Sequence, residues 1–303
     1  MHLRDIEYMV CIAETKSFTR AAQQLYVSQS ALSQAIQRLE EELNVKLFNR
    51  EPSVITLTYA GQVFYNDSLE ILNACHRIQA KMSDISNLKA GILRIAIPQN
   101  YSSLYIATVI PAYRKLYPGI ELRLSETISS NIEEYCRKGK ADLGVLSLPL
   151  GIGNLKYVPL FDEAVYLCLP ADHPVALSYR PDEESPLIDL ALVKDDQFIL
   201  LKAGQRLREQ ALQLCQAAGF QPGIVFETSS VATTLEFVRN DLGIGFITEL
   251  IRKHNNENGV RYFKILYNGK PFSRTFAAIY SENAYLSRAA AEFIRLAGEM
   301  PLF

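Results

Sequence analysis

The chain lacks the features that most simply define a function class. No stretch reaches the ~18 consecutive apolar residues that a membrane-spanning helix needs, so no membrane partner is expected. Met1-His2-Leu3-Arg4-Asp5-Ile6-Glu7 puts acids where a secretion signal needs bases and then an apolar run, and a cytoplasmic location is the expectation. Five cysteines stand at 11, 75, 136, 168 and 215, far apart and without a Cys-x-x-Cys. That pattern fits reduced, buried thiols rather than a disulfide framework. The four histidines, at 2, 76, 173 and 254, form no pair at ligand spacing, so no metal is expected. A net charge of −2 and a pI near 6.1 exclude the bulk basic excess of the simplest nucleic-acid binders, so any DNA contact must come from local placement. There is no Gly-x-Ser-x-Gly, no P-loop and no His-Glu-x-x-His. Gly243-Ile244-Gly245 runs into Phe246-Ile247-Thr248-Glu249, which is not a dinucleotide fingerprint, so neither an enzyme nor a cofactor is expected.

Three textures are present. Residues 1–58 read as short amphipathic helices, and 59–89 as one long helix without proline or a glycine after Gly61. From Gly91 on, apolar strands such as 93–97 alternate with helical stretches such as 104–116, which predicts an α/β fold. Asp142-Leu143-Gly144 and Asp241-Leu242-Gly243 each lead into an apolar strand after a helix. The echo points to two similar α/β subdomains, the alternative being chance recurrence of a short turn.

In the first segment, 17–25 reads as a helix with Ala21, Ala22 and Leu25 inward, followed by a turn at Tyr26-Val27 and a second helix capped by Ser28. Ala31, Leu32, Ala35, Ile36, Leu39 and Leu43 form its predicted inner face. Gln29, Ser30, Ser33, Gln34, Gln37 and Arg38 form the outer one. Such a unit places its second helix in a DNA major groove, where Gln and Ser read base edges and Arg38 or Arg20 contacts backbone or guanine. A merely solvated helix face has the same composition. Charge does not separate the two, since residues 1–58 hold six bases against seven acids, three of them at 40–42.

Ala13-Glu14, Ser17-Phe18-Thr19-Arg20-Ala21-Ala22, Leu25, Val27 to Ser33, Ile36, Leu39-Glu40, Leu43, Leu47-Phe48, Arg50 and Thr56-Leu57-Thr58-x-Ala60-Gly61 resemble the N-terminal signature of LysR-type transcriptional regulators. The match runs ungapped over about sixty residues and mixes core, cap and groove-facing positions. The resemblance implies a winged helix-turn-helix over 1–58 and a linker helix over 59–89 that dimerises. It implies an effector-binding domain of periplasmic-binding-protein type over 91–303, with one subdomain at 91–162 and 266–303 and the other at 163–265. It further implies DNA contacts at Thr19, Arg20, Ser28, Gln29, Ser30, Ser33, Gln34, Gln37, Arg38 and Arg50, contact with RNA polymerase, and tetramers. Two departures stand out. Asn44 replaces the usual turn glycine but tolerates the left-handed conformation. The wing, Glu51-Pro52-Ser53-Val54-Ile55, carries no base, which moves the backbone contacts to Arg20, Ser28, Arg38 and helix-start amides.

In the long helix, Phe64, Ile71, Ile78 and Ile85 recur every seven residues, with Ser68, Cys75 and Met82 four residues after the first three. This seam wants a partner helix, unless the helix packs on its own domain. Phe64, Ile71, Ile78, Met82 and Ile85 are the predicted dimerisation residues.

In the α/β half, polar loops follow predicted strand ends, where ligands bind in such sheets. Gln99, Asn100, Tyr101, Ser102, Ser103, Thr127, Ser129, Ser130, Lys202, Thr228 and Thr248 are the effector-site candidates. Each Ser or Thr is equally read as a plain N-cap, and Ser130 with Glu133 has capping-box spacing. Hydroxyls, helix-start amides and Lys202 favour a carboxylate or other anion. Glu126 and Glu227, if turned inward, favour an amine. His173, in Asp172-His173-Pro174, is read as structural. The competing account is a solute-binding or enzymatic α/β protein with the N-terminal helices as a dimerisation arm.

Overall fold

The computed structural model describes residues 1–50, 55–86, 90–180, 183, 185–255 and 258–300, with the Arg50 side chain and the bulk of the wing, 51–54, outside that set. The chain divides into two compact units, Met1–Met82 and Ser83–Phe303.

The first unit contains α1 (Leu3–Thr15), α2 (Phe18–Gln24), α3 (Gln29–Leu43), a two-stranded sheet of β1 (Phe48–Arg50) and β2 (Ile55–Leu57), and all but the last turn of α4 (Tyr59–Ile85). Ser17 and Ser28 cap the second and third helices, their hydroxyls accepting from the Arg20 and Ala31 amides. Tyr26 in the intervening turn takes a positive φ of 55°, and Asn44 ends α3 at φ 54°, as its tolerance of that region predicts. Met9, Ile12, Ala21, Leu32, Ile36 and Leu47 are fully buried and make one core. The inward face of α3 is narrower than the periodicity predicts: Ala31 and Leu43 are exposed. The inward position after Leu39 belongs instead to Glu40. Its carboxylate accepts from Lys46 Nζ at 2.9 Å and from the Leu47 and Phe48 amides at 2.9 and 3.3 Å, fastening the strand to the helix. Gly61 is required at the start of α4, since a Cβ there would lie 1.9 Å from the Leu47 carbonyl oxygen.

The second unit has two lobes sharing one long strand. Its elements run β3 (Gly91–Ile97), α5 (Gln99–Tyr101), a π-helical turn (Ser102–Ile106), α6 (Ala107–Leu116), β4 (Ile120–Glu126), α7 (Ser129–Arg137), β5 (Leu143–Ser147) and β6 (Leu155–Pro170). They continue through α8 (Pro174–Leu177), β7 (Leu187–Ile188), β8 (Gln197–Leu201), α9 (Arg206–Ala217), β9 (Gly223–Thr228), α10 (Val231–Arg239), β10 (Ile244–Thr248) and α11 (Glu249–Lys253). The last are β11 (Val260–Tyr267), β12 (Lys270–Pro271), β13 (Ser273–Ser281) and α12 (Arg288–Glu299). The first lobe orders its strands β4-β3-β5-β13-β6, and β6 passes on to β10-β8-β9 in the second, with β11 on its other partner edge. Up to Ala164, β6 pairs β13; from Val165 it pairs β10 and β11. In each lobe a parallel trio, β4-β3-β5 or β9-β8-β10, follows the same strand–helix–strand path. This is the repeat that the two Asp-Leu-Gly turns announce. Among the described residues no helix is long and apolar enough to cross a membrane.

Candidate functional site

A cavity of about 280 Å³ opens where the two lobes meet. It is built from the loops after β3, β4 and β8 and from the starts of α7, α9 and α10, the carboxyl-end position that α/β sheets reserve for ligands. Six of the eleven candidates line it: Gln99, Asn100, Tyr101, Thr127, Ser129 and Thr248. The other five do not. Ser102 is buried in the π-helical turn, and Ser103 donates to the Gln99 and Asn100 carbonyls. Ser130 engages the Gly204 carbonyl through its amide, Thr228 accepts from the Ser230 amide, and Lys202 stays exposed off the lining. The helix after Thr127 begins at Ser129 with Ile128 as an uncapped N-cap, so the Ser130–Glu133 capping box does not form. Thr248 does cap, accepting from the Ile251 amide at 3.4 Å.

The cations of the cavity are two arginines outside the predicted set. Arg274 and Glu163, with side chains 4% and 0% exposed, face each other across the β13–β6 ladder at 2.9 Å. Arg274 also donates to the Tyr101 hydroxyl at 2.6 Å and to Gln210 Oε1 at 3.2 Å. Glu163 accepts from the Tyr101 hydroxyl and from the Leu250 amide. Burial pushes the Tyr101 phenol well above its ordinary range, with Arg274 and Glu163 pulling in opposite directions. Burial acts to lower Arg274, but Tyr101 and Glu163 outweigh it and hold the guanidinium above its ordinary value. Tyr101 stacks on Phe276 at a centroid distance of 4.0 Å, which sets the floor of the cavity. An acidic pair, Asp162-Glu163, within 161–165 and a lone base, Arg274, within Ser273-Arg274-Thr275-Phe276 interrupt apolar strands; that opposition was the available sequence signal.

Arg206, the first residue of α9, reaches the other lobe. Its guanidinium pairs with Glu133 and, at 2.5 Å, with Glu209. Glu133 in turn accepts from the Gly151 and Ile152 amides at 2.8 and 2.9 Å. Two donors in lining residues, Gln205 Nε2 and Arg206 Nε, are buried without a hydrogen-bond partner. Glu126 also lines the cavity, exposed and with no ion-pair or hydrogen-bond partner for its carboxylate among the described residues. Glu227 does not line it and is paired with Arg208 at 2.5 Å. None of the five cysteines lines it, and burial raises the Cys215 thiol to about 12. His173 holds the Val175 amide on Nδ1 and Asp196 on Nε2, a structural role.

In the first unit, Thr19, Arg20, Ser28, Gln29, Ser30, Gln34, Gln37 and Arg38 are exposed and Ser33 is half-buried. Arg20 donates to the Thr15 carbonyl at 2.6 Å and Gln37 to Glu41 at 3.0 Å. Residues 3–62 match the family described as bacterial regulatory helix-turn-helix protein, lysR family, and residues 86–301 match the LysR substrate binding domain. The chain belongs to the LysR family of transcriptional regulators. It is 33% identical to the HTH-type transcriptional regulator YcgK of Bacillus subtilis (strain 168), over 99% of this chain and 94% of that one. A hydrogen peroxide-inducible genes activator of Pectobacterium carotovorum subsp. carotovorum is 30% identical, over 92% and 90%. A full-length OxyR variant from Pseudomonas aeruginosa shares the fold with a TM-score of 0.73 at 24% identity, covering 100% of this chain and 96% of that one. As a LysR-family member the chain is a DNA-binding regulator with an effector-binding cleft in its C-terminal part, and the enzymatic and solute-binding accounts fall away. Oligomerisation comes with the family as well.

Proposed function

We propose that the protein reads a two-fold symmetric DNA site as a dimer and couples that reading to a small effector carrying a carboxylate or other anionic group. In this reading residues 1–58 are the reading head, 59–89 the linker and 91–303 the effector domain. Gln29, Ser33 and Gln34 read bases. Thr19, Arg20, Ser28, Ser30, Gln37, Arg38 and Arg50 hold the backbone or neighbouring base edges. The exposure of Ile71, Ile78, Met82 and Ile85 supports their role as the dimer seam. Phe64 is half-buried against the head's own core, so the seam starts one heptad later. Tetramer formation, contact with RNA polymerase and a cytoplasmic location complete the proposal.

The observation that carries the effector class is the pair of orphaned donors, Gln205 Nε2 and Arg206 Nε, in the cavity wall. A buried donor without an acceptor costs about 1–3 kcal/mol. An anionic group that reached both would recover that cost, with the starts of α7, α9 and α10 adding favourable dipole ends. Arg206 takes the part expected of Lys202. Gel shifts against genomic fragments, with and without metabolite extract, test the coupling. A fragment whose retention changes with extract, and changes less for Gln205→Ala, is the expected result. Retention indifferent to every extract fraction contradicts it.

A further inference from the structure

The charges lining the cavity are unevenly matched. Arg274 is matched by Glu163 and Arg206 by Glu133 and Glu209, each within ion-pair distance. Among the described residues, the one charged lining group with no counter-charge is the Glu126 carboxylate. It stands at the last residue of β4, beside Ile97 of β3 and therefore beside the Gln99-Asn100 loop, on the first-lobe wall. The orphaned donors belong to the start of α9 on the second-lobe wall. A simple anion would satisfy the second wall but face Glu126. A simple amine would satisfy Glu126 but leave both donors without an acceptor.

We propose that the effector is a zwitterion of the α-amino-acid type, its ammonium seated on Glu126 and its carboxylate on Gln205 and Arg206. This rests on the effector site proposed above and narrows its ligand class. The remaining lining supports the size and the side chain. Ile128, Leu201, Leu207, Val231 and Phe276 give the cavity an apolar portion. A volume of about 280 Å³ lies at the small end of ligand pockets, which run ~300–1,000 Å³. A medium aliphatic or thioether side chain fits both facts. Such a ligand spans the two lobes, because its two charged groups are held by different walls, so its binding reports directly on lobe arrangement.

The test uses the full-length chain and matched probes: L-valine, L-leucine and L-methionine, each beside its deaminated carboxylate and its decarboxylated amine. Thermal shift and calorimetry are run on the wild type, Glu126→Gln and Gln205→Ala. The expected result is that at least one amino acid binds tenfold or more tightly than both of its halves. Glu126→Gln should erase the preference for the amino acid over the deaminated acid, and Gln205→Ala should weaken the amino acid and the acid alike. A carboxylate that binds as well as its amino acid and is unaffected by Glu126→Gln overturns the zwitterion and leaves the anion reading standing. An amine that binds as well as its amino acid and is indifferent to Gln205→Ala overturns both. The absence of any binding across the panel counts against the zwitterion.

Discussion

Breaking the Arg274–Glu163 pair one side at a time, and then both sides together, measures how the cavity floor is held. Arg274→Met leaves a carboxylate that is fully buried with only the Tyr101 hydroxyl and the Leu250 amide as donors. Glu163→Leu leaves a buried guanidinium facing only the Tyr101 hydroxyl oxygen and Gln210 Oε1. Removing one partner of a buried ion pair costs about 3–5 kcal/mol, so each single variant should lose a fifth or more of a stability of about 5–15 kcal/mol. The double variant has no buried charge. It leaves three buried polar groups short of a partner, the Tyr101 hydroxyl, the Leu250 amide and Gln210 Oε1, at about 1–3 kcal/mol each. Its cost is therefore about 3–9 kcal/mol, centred below the ~6–10 kcal/mol sum of the singles. Urea unfolding followed by circular dichroism, with linear extrapolation, reads all three. Additive losses, or single losses below about 1 kcal/mol, would refute the reasoning, because both require that the pair is solvated rather than sealed.

Other consequences are equally open to measurement. Burial raises Glu40, but hydrogen bonds from Lys46, Leu47 and Phe48 outweigh it and leave the carboxylate below its ordinary value. Its stabilisation is thus full at neutral pH and fades as pH falls through the native value; Glu40→Gln should cost about 1–3 kcal/mol at pH 7 and flatten the acid limb of head-domain stability. Burial raises Cys11, Cys136, Cys168 and Cys215, so a thiol reagent at pH 8 should reach these four only in denaturant. Ile71→Asp with Ile78→Asp should convert the dimer to monomer in light scattering, since a buried seam does not tolerate unpaired charge; a dimer persisting through the same helices contradicts the seam.

Much of this architecture was legible because it is written locally. The Ser28 cap and the Asn44 turn each act on neighbours a few residues away, and each sits where the sequence puts it. Half of the cavity was legible for the same reason: Gln99, Asn100, Tyr101, Thr127 and Ser129 follow strand ends directly. The charges were not. Arg274 meets Tyr101 across a sequence separation of 173 and Glu163 across 111, so only the sheet pairing that returns the chain through β13 joins them. Lys202 was the nearer choice because it follows β8, but its amide joins the Thr228 carbonyl and its side chain stays exposed. Arg206 takes the inward position one helix start later. In sequence Glu40 is one of three acids at 40–42; helical periodicity alone does not reveal that the following strand folds back to offer it two amides and a lysine. The π-helical turn was also hidden, and it rotates Ser102 and Ser103 away from the cavity.

The central claim is that α3 reads DNA sequence through its outward glutamine and serine side chains. A randomised-site selection with the full-length wild type and with the Gln29→Ala/Ser33→Ala double variant tests it most directly. The account predicts a two-fold symmetric wild-type site and an altered base preference for the variant, each lost base contact being worth about 1–3 kcal/mol. An identical preferred site at unchanged affinity in the double variant would contradict it.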